Sequence, residues 1–261
     1  MQITVELPDE IAEQIHKSSG DIGPRMLEAF ASEGYRSGNL TGWQLQQLLD
    51  LKNRFEVDAF LKRAGVFREY TVEELERDYQ MSRRASQGVQ SRAQPRNGPP
   101  PVTVIADTSP IHYGVMIGTA DAFFLLYGQI LVPSAVYAEL MDSGAPIGMH
   151  QWVEGNRSRI QVRSVETADD RDLRQLDAGG REAIALAQQF TDSLLIIDEK
   201  AGRIAAEGRG IHITGLLGVI RDAGIRGHLD FELAIDRLKA TDFRLSPEVE
   251  TLVRRQFRSS R

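Results

Sequence analysis

Apolar positions in the first eighty residues fall mostly at helical spacing. Residues 3–7 (ITVEL) alternate as a short strand does, and Pro8 suits the first turn of a helix. Residues 24–36 place Met26, Leu27, Phe30 and Tyr35 roughly on one face, and residues 41–50 follow a Gly-Asn turn with Thr41 as cap. Residues 53–64 end at Gly65, a good residue to close a helix, and residues 71–79 open on a Thr-x-x-Glu capping box. After residue 102 the pattern changes. Strand-length apolar runs (VTVIA, QILVP, IQVRSV, SLLIID, IHIT) alternate with helical segments (AFFLLYG, SAVYAELM, GGREAIALAQQF, AGRIAAEGRG, LLGVIRDAG). That rhythm predicts an α/β fold, a parallel sheet flanked by helices. Ser246-Pro247-Glu248 starts a last amphipathic helix.

The two patterns divide the chain into a mostly helical domain over 1–80 and an α/β domain over 102–261. Between them, residues 81–101 contain almost no large apolar side chain and end in three prolines, which predicts a flexible linker. Charge sharpens this division. The linker carries four arginines and no acid, whereas residues 1–80 hold 9 basic and 15 acidic residues. A net charge of −6 argues against indiscriminate coating of DNA, although an acidic metal site would itself contribute negative charge. Zero cysteines exclude disulfides and thiolate chemistry and fit a cytoplasmic location. The chain shows neither an apolar run of membrane-spanning length nor a signal peptide, so no membrane partner is expected. The helices over 41–50 and 53–64 have the outline of a helix-turn-helix, with Asn53, Arg54, Lys62 and Arg63 on the second. Contact with operator DNA is one use for them, and plain helical packing is the other.

Four carboxylates sit at comparable places in the second pattern. Asp107 ends the first strand, Glu139 lies in the helix after LVP, Glu182 is in the first turn of GGREAIALA, and Asp198 ends LLIID. Taken singly, Asp107 and Asp198 read as helix caps, Glu139 as a solvated helix residue and Glu182 as a partner of the helix dipole. Taken together, acids along the carboxyl edge of a parallel sheet repel one another unless a divalent cation lies between them. Oxygen-only ligation selects Mg²⁺ or Mn²⁺, and such a site suits phosphodiester hydrolysis. Glu199 follows Asp198 and, by strand alternation, leaves on the opposite face.

IADTSPI, ILVPSAVYAEL, GGREAIALA, LLIIDEKAGRIA and ITGLLGVI stand in an order and spacing that resemble toxin-like PIN-domain ribonucleases over residues 102–242. The resemblance implies a PIN-like fold and a metal-dependent endoribonuclease. It also implies Asp107, Glu139, Glu182 and Asp198 as catalytic, metal-binding acids, with Ser109 and Thr214 as supporting hydroxyls. Gly180 departs from the pattern, since many relatives have an acid there. Glu199 replaces a second Asp, and His112 and Tyr113 stand where small or aliphatic residues are usual. In the first half, ELPDEIAEQI, RMLEAFASEGYRSGNLT, LLDLKNRFEVDAFLKRAGV and YTVEELERD resemble, over residues 3–79, the small antitoxins encoded beside such toxins.

The chain therefore looks like antitoxin and toxin in one polypeptide, with RNA as substrate and the first domain inhibiting the second. Val66, Phe67, Tyr70, Leu75 and Tyr79 are the apolar contact expected for that inhibition, with Arg77, Arg83 or Arg84 reaching the acids in place of a metal. The contact forms within one chain or by exchange in a homodimer. A DNA-binding autorepressor whose PIN domain serves as partner or dimerisation module is the main alternative. A phosphatase-like or receiver-like α/β protein is a second, weakened by the lack of an Asp two residues after Asp107.

Overall fold

The structure is a computed structural model and describes residues 4, 6–19, 22–66, 71–90, 102–167 and 170–260. The first half contributes α1 (Asp9–Ser19), α2 (Ile22–Arg36), α3 (Gly42–Leu48), α4 (Arg54–Arg63) and α5 (Val72–Gln90). Their boundaries follow local chemistry. Thr41 and Gln44 form a reciprocal capping box on α3, and Asn53 caps α4 by accepting from the Glu56 N–H. The Thr71 hydroxyl and the Glu74 carboxylate do the same for α5. Gly65, at φ +65°, closes α4 in a conformation that a side chain would strain. Ala31, Leu45, Val57, Phe60, Leu61 and Val66 make a small core of their own. Thr4, Glu6 and Leu7 lie outside regular structure, so the described residues of the expected N-terminal strand form none; Ile3 and Val5 fall outside the described residues.

The second half runs β1 (Thr103–Ala106), α6 (Thr108–Met116), α7 (Asp121–Tyr127), β2 (Ile130–Pro133), α8 (Ser134–Leu140), α9 (Met149–Gly155) and β3 (Ile160–Arg163). It continues through α10 (Ala178–Gln188), β4 (Ser193–Ile196), α11 (Lys200–Glu207), β5 (His212–Thr214), α12 (Leu216–Ile225), α13 (Phe231–Lys239) and α14 (Pro247–Ser259). The strands form one parallel sheet in the order β3-β2-β1-β4-β5. Period-two alternation sends Val104 and Ala106 into one helical layer and Ile105 into the other. The chain leaves β1 towards β2 and leaves β4 towards β5. The carboxyl ends of β1 and β4 therefore flank the switch point, where open α/β sheets have their crevice. Among the described residues no helix is long and apolar enough to cross a membrane.

Residues 81–90 are not linker; they continue α5. Small residues take the place of the missing large apolar ones and let the helix approach closely. Ala85 is buried in the sheet's core, the Ser82 hydroxyl meets the Tyr127 hydroxyl at 2.6 Å, and the Ser86 hydroxyl donates to Asp222 at 2.7 Å. Residues 91–101 of the expected linker lie outside the described residues. Leu75 enters the same core, and Arg221 lies 4.0 Å from the centre of the Tyr79 ring. Asp78 is the anchor. Its carboxylate accepts from both Arg203 terminal nitrogens (2.7 and 3.1 Å) and from the Gly215 N–H at 2.7 Å, and its carbonyl accepts from the Thr214 hydroxyl at 2.8 Å.

Removing one partner of a buried pair leaves an uncompensated charge. Asp78→Ala should therefore lower the unfolding free energy of the whole chain by about 3–5 kcal/mol in urea titrations. Breaking the exposed Arg36–Glu33 pair by Arg36→Ala should cost less than about 1 kcal/mol. Equal losses would show that α5 is not anchored through Asp78.

Candidate active site

Asp107 follows β1 as the cap residue of α6, yet its side chain makes no capping bond. It is 1% exposed, and its Oδ1 is buried without a hydrogen-bond partner. Its Oδ2 meets Arg54 Nη1, from the first half, at 3.2 Å. The same nitrogen lies 3.7 Å from Asp177, which caps α10 by accepting from the Gly180 N–H. Glu139 on α8 accepts from the Thr108 hydroxyl at 2.5 Å, and Glu199 accepts from the Gly42 N–H at 2.9 Å. A Cβ built on Gly179 would stand 3.2 Å from a Glu139 oxygen and 3.5 Å from an Asp177 oxygen, so this glycine lets two carboxylates crowd the start of α10.

Arg54 is the counter-charge of this cluster. Burial works against its charge, but Asp107, Asp177, Glu139 and Asp58 outweigh burial and hold the guanidinium charged well above its usual range. Burial raises the Asp107 carboxyl, Asp177 adds to that, and Arg54 opposes both. Glu139 and Glu199 are each pushed up to about 7, first by burial and then by Asp177, again against Arg54.

Arg54 is held by the way its helix docks. The Phe55 ring packs tilted against His112, centroids 4.5 Å apart, and the His112 pKa falls to about 4, mainly through burial. Asp58 accepts from Arg244 at 3.4 Å, and Lys62 donates to the Lys239 carbonyl at 3.1 Å. Beside them the Thr41 hydroxyl donates to the Gln175 carbonyl at 2.5 Å. Arg54 and Lys62, which as sequence suit a DNA contact, thus face the second half of their own chain.

Of the four acids expected at the site, the structure brings Asp107 and Glu139 around Arg54. Glu182 accepts from the Ala135 N–H at the start of α8 (2.8 Å), and Asp198 from the Leu216 N–H at the start of α12 (3.1 Å). Asp177 and Glu199 also lie at the cluster. The alternation that sent Glu199 away does not reach it, because β4 ends at Ile196. Ser109 borders the space beside Arg54, whereas the Thr214 hydroxyl is spent on Asp78. Two of the expected arginines are elsewhere: Arg77 pairs with Glu207 and Arg84 with Asp192, which carries them to α11 and the β4–β5 edge rather than to the crevice, and Arg83 is exposed on α5. Phe67 and Tyr70 lie outside the described residues. Asp177 reads in sequence only as a cap before Ala-Gly-Gly, and Arg54 only as a surface cation.

The donor set is all oxygen, and the unpartnered Asp107 Oδ1 suits a hard divalent cation. Among the described residues no group of three His, Cys, Asp or Glu is placed to hold one, and the Arg54 guanidinium occupies the space between Asp107 and Asp177. A family model described as PIN domain matches residues 103–259, and one described as uncharacterised protein family UPF0175 matches residues 1–84. No curated protein and no solved structure matches the chain.

The raised glutamates fix a pH dependence. Below about pH 4.5 both are protonated whether folded or not. Between there and pH 7 the folded chain binds more protons than the unfolded one, so stability falls as pH rises. In metal-free buffer, Glu139→Gln should flatten that fall by up to about 3 kcal/mol, with Glu199→Gln adding to it. Urea midpoints that decline as steeply in the double variant as in the parent would contradict this.

Proposed function

The chain belongs to the PIN-domain family, with an antitoxin-like half joined ahead of its nuclease fold, and from that premise we propose a metal-dependent endoribonuclease held in check by its own first half. The observation that carries this reading is Arg54 of α4 lodged against Asp107 and Asp177 at the crevice. Asp107, Glu139 and Asp177 are the carboxylates that would hold Mg²⁺ or Mn²⁺, with Asp198 and Glu182 steadying the strand end and helix starts around them. When bound, the ion would neutralise the scissile phosphate and activate water for hydrolysis. Arg54 supplies a positive charge to the same carboxylates but, unlike a metal ion, cannot ligate and activate a water. Phe55 and Asp58 hold α4 over the crevice, so the substrate RNA is excluded by bulk, and the Arg54 charge competes with the metal ion for the carboxylates.

The contact closes within a single chain, and α5 keeps the first half at high effective concentration. Leu75 and Ala85 belong to the core of the nuclease fold, so cutting away the first half would uncover apolar surface. A point substitution in the intact chain is the better test. With a labelled RNA and Mn²⁺, Arg54→Met should cleave at least about tenfold faster than the parent, the change that roughly 1.4 kcal/mol makes. EDTA should abolish the cleavage, and Asp107→Asn in the Arg54→Met chain should silence it. A parent chain as active as Arg54→Met would overturn the inhibitory reading. Cleavage that survives both EDTA and Asp107→Asn would overturn the metal site.

A further inference from the structure

A cavity of about 320 Å³ opens beside the crevice, walled by α3 and α4 on one side and by α8 and α10 on the other. Its volume lies in the range of small-ligand sites. Trp43 lines it, and among the described residues that ring has no stacking partner and its indole N–H no hydrogen bond. Lys52 and Arg181 line it too. Neither forms an ion pair among the described residues, Arg181 donating only to the Leu176 carbonyl at 2.6 Å. Glu139, Asp142, Asp177 and Arg54 line it as well.

We propose that this cavity is a nucleotide site, taking either the terminal nucleotide of an RNA or a free nucleoside monophosphate. An indole that lines the cavity and has no ring partner among the described residues is suited to stack a base. Two cations without carboxylate partners suit a phosphate. The lining carboxylates can accept from the amino and ring N–H groups of a base. A simple anion would use the cations and leave the aromatic wall empty; a nucleotide uses all three features. Trp43 and Lys52 come from the antitoxin-like half and Arg181 from the nuclease half, so the first half recognises nucleotide besides covering the acids. The assignment rests on reading the neighbouring acids as a nuclease site.

Trp43 and Trp152 are the two tryptophans, and Trp152 stacks on Phe124 elsewhere in the second half. In the full-length Trp152→Phe chain, emission therefore reports Trp43. Adenosine 5′-monophosphate should quench it saturably with a Kd below about 1 mM, and inorganic phosphate should bind at least about tenfold more weakly. Lys52→Met and Arg181→Met should each weaken binding about fivefold, and Trp43→Leu, followed by calorimetry, about tenfold. A 5′-phosphorylated trinucleotide, tested with Asp107→Asn to prevent cleavage, separates the two sources. Tighter binding than the mononucleotide identifies an RNA end, and equal binding a free nucleotide. No saturable quenching or heat up to about 10 mM, or equal affinity in all three variants, would overturn the site. None of these readouts needs cleavage. Binding by a chain without nuclease activity sinks only the cleavage reading, and nuclease activity without binding sinks only this one.

Discussion

Charge repulsion among buried carboxylates is the constraint around which both halves are arranged. Asp107, Glu139, Asp177 and Glu199 converge where β1 and β4 end, and burial penalises the charge of the three whose shift is resolved: Asp107, Glu139 and Glu199. Such a cluster needs a cation. Arg54 is that cation here, and its delivery explains features that otherwise look unrelated. Asn53 fixes the start of α4 so that the next residue, Arg54, enters the crevice. Phe55 on His112 and Asp58 on Arg244 hold the helix at the depth Arg54 needs.

The attachment has two parts of different character. α5 is fused into the nuclease core by Leu75, Ala85, the buried serines and the Asp78–Arg203 pair. α3 and α4 touch the crevice through polar contacts and the tilted Phe55–His112 ring pair, while Leu45, Val57, Phe60 and Leu61 pack into a separate small core. A permanent anchor beside a polar plug is the arrangement expected of a contact that opens without unfolding the nuclease. On the proposed reading, activity is governed by the plug and stability by the anchor.

Much of this fold is legible in the sequence, because the shift in apolar period at residue 102 and the caps at Thr41, Thr71 and Ser246 are local signals. Asp107 is legible only in company: singly it reads as a helix cap, and it stands out because other acids fall along the same sheet edge. α13 carries an Asp230 cap and an apolar stripe, yet it passes unread among neighbours that look like connecting chain. The serines of α5 mislead, since a segment poor in large apolar residues reads as linker until a partner surface answers its hydroxyls. Arg54 is the hardest case. Sequence shows a cation on the second helix of a helical pair and leaves DNA contact and plain packing both open, because it does not say which surface that helix meets; tertiary packing makes the cation an internal counter-ion.

Competition between Arg54 and a divalent cation for the same oxygens is the central claim. Mn²⁺ binding to metal-free full-length protein, followed by calorimetry or by loss of the free-ion magnetic resonance signal, tests it without reference to any substrate. Arg54→Met should bind Mn²⁺ at least about tenfold more tightly than the parent, and Asp107→Asn in that background should remove the gain. Equal Mn²⁺ affinity in the parent and in Arg54→Met would contradict the account.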